Sequence, residues 1–510
     1  MPNDASYEWE LPGLRSSFEL EDDSRFLNDA PHTSEFFDVK FYPYNPKGAP
    51  SIFAAVSKKH ALVCRLTDKE PHPCDVLRLI RDDDPEAYNA GCCWSKEPET
   101  GQPWLCIAGN DAKVKIYDVK AGKLAKTLVG HGAGINDLCT SPANPSIIAS
   151  ASEDFTVRIW SLAPEHSEQP CVCLLGGEGH SWDLLTVAFH DTGRYILSAG
   201  HDQVINLWVV PEILPQHMEA PIVVHYPHFF TSDIHNSLVD CVAFFGDLIL
   251  SRACHENSIV LWRIEGFNSD DPPPSALQAP TTYDPSKQTR SAFTPVVSAA
   301  RPVQYTRLLK FSTPDCNVQF FMRFRMFNVP GKHAVLAFCN TRSRIMFWDM
   351  ERLTVYSDYR KALSDPDHDD AHTRPSWLKK SRKESGVAGK GTTVSHLKSY
   401  GAGDSQSVMS ASPDPDGLAG QSLNRDLALW DELYDISDES NLIQPHKSLL
   451  VTAPTEQYFV GRQAAWSPEG DWCVVVGNGN RAVICQRWPE RKERMPARDR
   501  KNRKSATPAV

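Results

Sequence analysis

The chain has 510 residues, a formal net charge of -11 and a hydrophobic content of 41%. This hydrophobic content is sufficient for a large core, and the negative charge excludes nucleic acid as the main ligand of the whole surface. No apolar run is long enough to span a bilayer and the N-terminus lacks the pattern of a signal peptide, so we expect no membrane partner.

The first 35 residues are polar and acidic. Glu19, Glu21, Asp22 and Asp23 lie close together in this stretch. Such a composition is typical of segments that cannot bury enough apolar surface to fold. We therefore predict a flexible acidic arm over residues 1–35, with folded structure beginning at residue 36.

Two short-stranded units follow the arm. Residues 36–66 predict three strands, the first two separated by a turn rich in Pro, Asn and Gly. The next unit begins at Ala90 and continues through WLCIAGNDAKVKIYDV, where Asp111 occupies a tight turn and Tyr117 lies near the end of a strand. The repeated pattern in residues 130–208, described next, shows what kind of unit these two are.

Residues 130–160 (GHGAGINDLCTSPANPSIIASASEDFTVRIW) and residues 179–208 (GHSWDLLTVAFHDTGRYILSAGHDQVINLW) repeat one pattern. Each begins with Gly-His, continues through two short strands and an Asp at a tight turn, and ends in Trp. This order is the signature of a WD-repeat blade in a β-propeller. The two preceding units are then degenerate blades that lack the His and the Trp.

In each repeat, four side chains occupy positions that form a buried relay in WD-repeat blades. The Asp fixes the His tautomer, the His contacts the Ser, and the Ser accepts the Trp indole N–H, so each buried polar group has a partner. The predicted relays are His131, Ser150, Asp154 and Trp160, and then His180, Ser198, Asp202 and Trp208. A hydrolase also uses Ser, His and Asp, but one active site needs no second copy, so we interpret both sets as structural.

Three further units end at Trp262, Trp348 and Trp488, which brings the number of blades to seven. Seven blades of about 40 to 45 residues need about 300 residues as one unit. We predict an all-β chain in which residues 36–488 form a seven-bladed WD-repeat β-propeller. Residues 364–444, between blades six and seven, are rich in Ser, Gly, Lys and Asp and are predicted to be a disordered insertion.

Two segments outside the blades carry alternative interpretations. Residues 426–433 place Leu427, Trp430 and Leu433 on one face of a short helix, which either docks on the ring or a partner or is an incidental apolar cluster. Residues 489–510 form a basic tail, and Arg and Lys are concentrated in the overlapping stretch of residues 487–504. This tail is either a solvated end or an arm for nuclear targeting and nucleosomal DNA.

The sequence contains none of the patterns expected of an enzyme or a metal site. The fourteen cysteines include no C-x-x-C pair and have no partner at zinc spacing, so we expect reduced, buried thiols in an intracellular protein. No nucleophile motif or phosphate-cradling Gly loop is present. We therefore predict a protein that is not an enzyme and needs no cofactor or metal.

Several strings resemble the extra sex combs (EED) family, which supplies a core subunit of Polycomb repressive complex 2. They are GHGAGIND opening blade three, GGEGH before blade four, Asp233-Ile234-His235 and FGDLILSRACHENSIVLW in blade five, and FMRF in blade six. The likeness runs through all seven blades and fails in the tails and the insertion. It implies a nuclear scaffold and histone-mark reader whose partners are a SET-domain methyltransferase of the Enhancer-of-zeste (EZH) type and a zinc-finger SUZ-like subunit.

The resemblance also implies a trimethyl-lysine site for a histone H3 tail, on the ring face opposite the methyltransferase. The matching cage positions are Phe53, Tyr88, Phe320 and Phe321, and Arg323 and Arg462 match positions near the peptide path. A quaternary ammonium cannot donate a hydrogen bond, so several π-faces must converge on it. The family usually has Trp and then Tyr at positions 320 and 321, and the two Phe residues here weaken the best cation–π face.

The reader function implied by the resemblance includes allosteric stimulation of the bound methyltransferase in support of gene silencing. The competing interpretation is a WD-repeat adaptor in another assembly that has no methyl-lysine pocket. The two interpretations differ in whether peptide binding depends on trimethylation.

Overall fold

The computed structural model describes residues 10–20, 35–70, 72–84, 88–281, 288–294, 303–316, 319–363, 374–378, 415–452 and 458–487. They belong to two compact units, one within residues 1–350 and 445–510 and the other within residues 351–444. In these described ranges, no helix is long and apolar enough to cross a membrane.

The described part of the first unit contains seven sheets, each built on a four-stranded antiparallel meander. Short strands separated by Gly, Pro, Asn and Asp turns favour this arrangement, because tight turns let each strand pair with the one before it. The strands of blades 1 to 3 are Phe36–Phe41, Ile52–Ser57, His60–Leu66 and Cys74–Arg81; Asn89–Lys96, Pro103–Gly109, Lys113–Asp118 and Lys123–Val129; and Ile135–Thr140, Ile147–Ser152, Val157–Ser161 and Cys171–Leu175.

Blades 4 to 7 repeat the meander. Their strands are Leu184–Phe189, Tyr195–Gly200, Ile205–Val209 and Phe229–Thr231; Val239–Phe245, Leu248–Ala253, Ser258–Ile264 and Tyr305–Ser312; Arg325–Phe327, Val335–Cys339, Arg344–Asp349 and Lys447–Leu450; and Gly461–Trp466, Trp472–Gly477, Arg481–Gln486 and Gly13–Glu19. Ile222–Val224 extends blade 3 in parallel and Thr289–Ser291 extends blade 4. Two 3₁₀ turns lie at Pro164–His166 and Ala276–Gln278.

The first strands of the blades form the inner wall of a ring. The first strand of each blade contacts the first strand of the next blade, and the first strand of blade 7 contacts that of blade 1. Apolar side chains of neighbouring sheets pack between the blades, and the largest buried ones include Trp160, Trp208, Trp262 and Trp348. This is the seven-bladed β-propeller that the repeats predict.

The N-terminal segment differs from its prediction as part of a flexible arm over residues 1–35. Gly13–Glu19 is a strand that pairs antiparallel with Arg481–Gln486 and supplies the fourth strand of blade 7. Arg481 donates a hydrogen bond to Glu19 at this junction. The acidic character of Glu19 therefore reflects an ion pair within a sheet, and the strand joins the two ends of the propeller.

The long insertion lies inside blade 6, and its predicted position between blades six and seven is wrong. Arg344–Asp349 pairs with Lys447–Leu450 in one sheet, so the insertion separates the third and fourth strands of a single blade. The fourth strand is held by backbone hydrogen bonds to the third strand, and the entropic cost of a loop rises only slowly with its length. A long insertion between the two strands is therefore tolerated.

Of the disordered insertion predicted over residues 364–444, the structure describes residues 374–378 and 415–444, and these belong to a small helical cluster in the second unit. Helix α1 (Met350–Ala362) and helix α2 (Pro415–Tyr434) pack through a core that contains Tyr356, Tyr359, Leu378 and Trp430. A short strand, Leu442–Ile443, follows α2. Residues 364–373 and 379–414 of the predicted insertion lie outside the described residues.

Asp431 ties the two helices of this unit together. Its carboxylate accepts hydrogen bonds from the Tyr356 hydroxyl at 2.6 Å and from Arg360 at 2.8 and 2.9 Å. The apolar side of α2 carries Leu427 and Trp430, as its spacing predicts, and this side packs within the unit. The helix is longer than the predicted segment of residues 426–433, and Leu433 is only partly buried.

The relay of blade 3 is assembled in the structure. His131 Nδ1 lies 2.8 Å from Asp154 Oδ2, and His131 Nε2 lies 2.7 Å from Ser150 Oγ. Trp160 Nε1 donates to the same Ser150 oxygen at 2.8 Å. Burial lowers the pKa of His131, so its ring is neutral near pH 7. Burial alone would raise the pKa of Asp154, but the hydrogen bond from His131 holds it well below its usual range.

Blades 4 and 5 contain the same arrangement. In blade 4, the contacts His180–Asp202, His180–Ser198 and Trp208–Ser198 measure 2.9, 2.7 and 2.8 Å. In blade 5, the contacts His235–Glu256, His235–Ser251 and Trp262–Ser251 measure 2.7, 2.7 and 3.0 Å. The blade 5 relay was missed in the sequence because Glu256 replaces the Asp on which the pattern depends.

We expect Asp154→Ala and Asp202→Ala each to lower the free energy of unfolding by about 1 to 3 kcal/mol, because each leaves a buried His without its acceptor. Glu256→Ala should have an effect of the same size. Thermal unfolding of the three variants measures the loss. Glu153→Ala, an exposed neighbour in the same turn, is the control and should stay close to wild type. Unchanged stability of all three relay variants would contradict the structural interpretation.

Trp430→Ala should loosen helix α2, because removing a buried Trp costs about 3 kcal/mol. Tryptic cleavage after Arg425, an exposed residue of the same helix, should then accelerate by roughly a hundredfold through local opening. Leu429→Ala changes an exposed neighbour and should alter the cleavage rate little. Equal cleavage of the two variants would show that the Trp430 core does not hold the helix.

Candidate functional site

The predicted aromatic site lies where the innermost strands begin. Phe37 is the second residue of the first strand of blade 1, and Tyr88 immediately precedes the first strand of blade 2. Phe320 and Phe321 precede the first strand of blade 6, and Arg462 is the second residue of the first strand of blade 7. Because the same meander repeats around the ring, these strand starts lie at one end of the central channel.

The aromatic side chains form two pairs. The ring centroids of Phe37 and Tyr88 lie 5.1 Å apart, and those of Phe320 and Phe321 lie 5.8 Å apart in an edge-to-face arrangement. Tyr88 and Phe320 are exposed by 37% and 45% of their surface, which is unusual for rings of this size. The pairs therefore present π-surface at the mouth of the channel.

Arg462 connects the two pairs. Its Nε donates to Glu35 at 2.7 Å, two residues before Phe37, and its Nη1 donates to the carbonyl of Phe320 at 2.8 Å. The guanidinium is thus fixed between the segment that leads into blade 1 and the loop that leads into blade 6. Both contacts are made within the chain, and the predicted role of Arg462 as a donor to a bound peptide stays a prediction.

The aromatic rings of the site are uncharged and already contact cations of the protein. Burial, with the nearby charge of Glu35, raises the pKa of Tyr88 to about 12, so the phenol is neutral at physiological pH. The Lys58 ammonium already lies 5.2 Å from the Tyr88 ring centroid, and the Arg323 guanidinium lies 4.7 Å from that of Phe321. Both rings therefore stabilise a positive charge on one face.

Arg323 is a structural residue of the channel, and its predicted role beside the peptide path does not fit its position. It is 4% exposed. Its guanidinium reaches across the channel to Asp137 at 3.2 Å and to the carbonyls of Asn136 and Leu185 at 3.1 and 2.6 Å. Because these bonds run to blades 3 and 4, Arg323 joins blade 6 to the far side of the ring.

Phe53 does not lie with the other three predicted cage residues. It is fully buried in a core shared by blades 1 and 7, with its ring centroid 5.6 Å from that of Phe41. Its strand pairs it with Phe41, at the end of the first strand, whereas Phe37 lies at the beginning. A strand rises about 3.3 Å per residue, so Phe53 lies more than about 10 Å away, toward the opposite end of the sheet.

Phe37 and Glu35 are the residues of this site that the sequence analysis missed. Phe37 is the second member of the Phe36-Phe37 doublet, and the strand pairing shifts register between Phe36 and Asp38, which leaves Phe37 as the extra residue of a β-bulge. Phe36 is completely buried in the core between blades. Phe37 instead packs against Tyr88. A bulge of this kind depends on pairing with the next strand, so the doublet alone does not distinguish the two residues.

Comparison with known proteins gives the same architecture. The family model of the WD domain, G-beta repeat, matches residues 122–161 and 171–209. The chain is 54% identical to Polycomb protein EED of Chaetomium thermophilum, over 96% of this chain and 98% of that protein.

Two solved structures are also similar. The crystal structure of the Chaetomium thermophilum Polycomb repressive complex 2 contains a chain with 56% identity and a TM-score of 0.81, covering 95% of this chain and all of that one. A structure of ctPRC2 in complex with H3K27me3 gives 55% identity and a TM-score of 0.81, over 95% of this chain and 99% of that one. This chain therefore belongs to the EED family of Polycomb proteins, the non-catalytic WD-repeat scaffold subunits of Polycomb repressive complex 2.

Proposed function

We propose that the chain reads a trimethylated lysine of a histone H3 tail, in a cage formed by Phe37, Tyr88, Phe320 and Phe321. The observation that carries the proposal is the arrangement of two aromatic pairs at the same end of the channel, joined by Arg462. Phe37 replaces Phe53 in the cage, because Phe53 is completely buried in the core between blades 1 and 7, whereas Phe37, although only 7% exposed, lies outside that core and packs against the exposed ring of Tyr88.

The chemistry of the pairs suits a quaternary ammonium. Trimethyl-lysine carries a positive charge but no N–H donor, so it gains from π-faces and from burial of its methyl groups. The phenol of Tyr88 stays neutral, and the nearby carboxylate of Glu35 is paired with Arg462, so the rings rather than a free carboxylate face the ligand. A ligand with three N–H donors would lose its hydration shell without finding acceptors on the rings.

The similar complex with H3K27me3 supports a repressive histone mark as the ligand of this chain. We further propose that the opposite end of the ring holds a SET-domain methyltransferase subunit, with a SUZ-like zinc-finger subunit, in the nucleus. Occupation of the cage then stimulates the methyltransferase through the ring, as a linked equilibrium between two sites. The basic tail of residues 489–510 lies outside the described residues, and its predicted contact with nucleosomal DNA remains a prediction.

We expect Phe321→Ala and Phe37→Ala to weaken binding of a trimethylated H3 peptide by roughly thirtyfold each, since a desolvated cation–π contact is worth about 2 kcal/mol. Peptide titration by calorimetry or fluorescence anisotropy measures the change. Co-purification with the methyltransferase subunit should survive both substitutions, because we place that contact at the other end of the ring.

Two further variants control this experiment. Phe53→Leu keeps a buried apolar side chain with only part of its volume lost, and Phe155→Ala removes an exposed ring on blade 3. Both variants should bind the peptide within about twofold of wild type. Equal binding of trimethylated and unmodified peptides by the wild-type protein would instead support a plain WD-repeat adaptor. Loss of peptide binding in Phe53→Leu alone would restore the original cage assignment.

A further inference from the structure

The loop that carries Phe320 and Phe321 has a backbone that needs external support. Phe321 adopts φ of 60°, in the left-handed region that aromatic residues rarely occupy. Such a conformation persists only where the surrounding structure determines it. The residue after it, Met322, is completely buried, whereas Phe320 is 45% exposed. The loop therefore passes from the surface into the core within three residues.

Arg252, from the second strand of blade 5, lies beneath this loop. Its side chain is completely buried, and its Nη1 lies 2.7 and 2.5 Å from the two carboxylate oxygens of Asp240. The same guanidinium donates to the carbonyls of Met322, Cys316 and Gln319 at 3.3, 3.3 and 3.4 Å. Three of its hydrogen bonds thus run to backbone carbonyls on both sides of Phe320 and Phe321.

Asp240 completes the arrangement from the other side. Its Oδ2 accepts a hydrogen bond from the backbone N–H of Met322 at 3.2 Å. The pair therefore holds both the N–H and the carbonyl of Met322, the residue directly after Phe321. Neither Arg252 nor Asp240 has exposed side-chain surface, so their charges face each other and this loop rather than solvent.

Stability alone is a poor explanation of this ion pair. Burying two charges costs desolvation energy that their attraction barely repays, and an apolar pair of equal volume is often as stable. A guanidinium differs from an apolar side chain in its fork of donors, which fixes several carbonyls at once. Here, all the carbonyls that it fixes belong to residues 316–322.

We propose that the Arg252–Asp240 pair is a positioning device for the trimethyl-lysine site, which sets the orientation of the Phe320 and Phe321 rings from inside blade 5. Neither residue contacts the ligand. The proposal rests on the proposed function for the identity of that ligand, but the anchoring of the loop is a separate property that is measured without any peptide.

The test variant is Arg252→Met combined with Asp240→Asn, which removes both charges together and leaves no unpaired buried ion. Two measurements are made on the full-length protein, amide hydrogen exchange without ligand and titration with trimethylated H3 peptide. We expect the Phe321 and Met322 amides to exchange at least about tenfold faster, because the loop loses its anchor. Peptide affinity should fall by at least about tenfold, while methyltransferase co-purification is retained.

The matched control is Lys332→Met with Glu469→Gln, which neutralises an ion pair between the loops of blades 6 and 7. It should leave both measurements unchanged. Arg252→Lys, whose ammonium can still pair with Asp240 but lacks the fork that holds the three carbonyls, should recover only a small part of the affinity. In a Phe321→Ala background the double variant should cost less affinity than in the wild-type background, since part of its effect acts through the Phe321 ring.

The outcomes separate the two proposals. Unchanged exchange of Phe321 and Met322 in the double variant would overturn the anchor, whatever the peptide does. The anchor would also be overturned if the double variant lost the same affinity in the wild-type and Phe321→Ala backgrounds. The loss would then not act through the aromatic ring. If the exchange rises but wild-type protein does not distinguish trimethylated from unmodified peptide, the anchor stands and the reader function fails.

Discussion

Pairing of Gly13–Glu19 with Arg481–Gln486 is the contact on which the other features of the ring depend. It closes blade 7 with a strand from the opposite end of the chain, and the closed ring leaves only short, protected sheet edges. Closure also places Glu35 beside Arg462, and hence the start of blade 1 beside the loop of blade 6. The candidate site is therefore a consequence of ring closure, since its parts come from both ends of the sequence.

Buried polar groups connect neighbouring blades in a regular way. Asp38, Asp137 and Asp240 lie on the first strands of blades 1, 3 and 5, and each accepts a backbone N–H from the following blade, at 2.9, 3.0 and 3.2 Å. The relays satisfy polar groups within blades 3, 4 and 5, whereas these carboxylates do so between blades. In blade 5 the carboxylate of Asp240 also forms an ion pair with Arg252. Through Arg252, the contact between blades extends to the loop that carries Phe320 and Phe321.

The parts of the fold that follow from local pattern could be predicted, and the parts that depend on distant pairing could not. The repeated spacing of His131 to Trp160 is enough to indicate a blade, because every partner in the relay lies within one meander. Gly13–Glu19 shows only weak alternation, and its strand is stabilised by a partner more than 400 residues away. The insertion was misplaced for the same reason, since Lys447–Leu450 is recognisable as a strand of blade 6 only through its pairing.

The error at Phe53 has a more local cause. Successive strands of a meander run in opposite directions, so an aromatic at the start of a second strand lies at the other end of the ring from one at the start of a first strand. Phe37 and Phe53 both begin strands, and composition does not distinguish them. The contacts of Arg323 and Arg462 within the chain could not be predicted, because a sequence does not show which carboxylates and carbonyls a guanidinium will meet.

Under the proposed function, the two Phe residues of the loop also determine how a cage of this composition would recognise trimethyl-lysine. A phenyl ring offers a weaker π-face than an indole, so the electrostatic part of binding is smaller than in a cage containing Trp. Burial of methyl groups does not depend on that face, and it contributes in proportion to the apolar area removed from water. Recognition by Phe320 and Phe321 must therefore rely more on close packing around the methyl groups, which requires a loop held in one conformation. A strained backbone at Phe321 and a buried ion pair behind Met322 are consistent with that requirement.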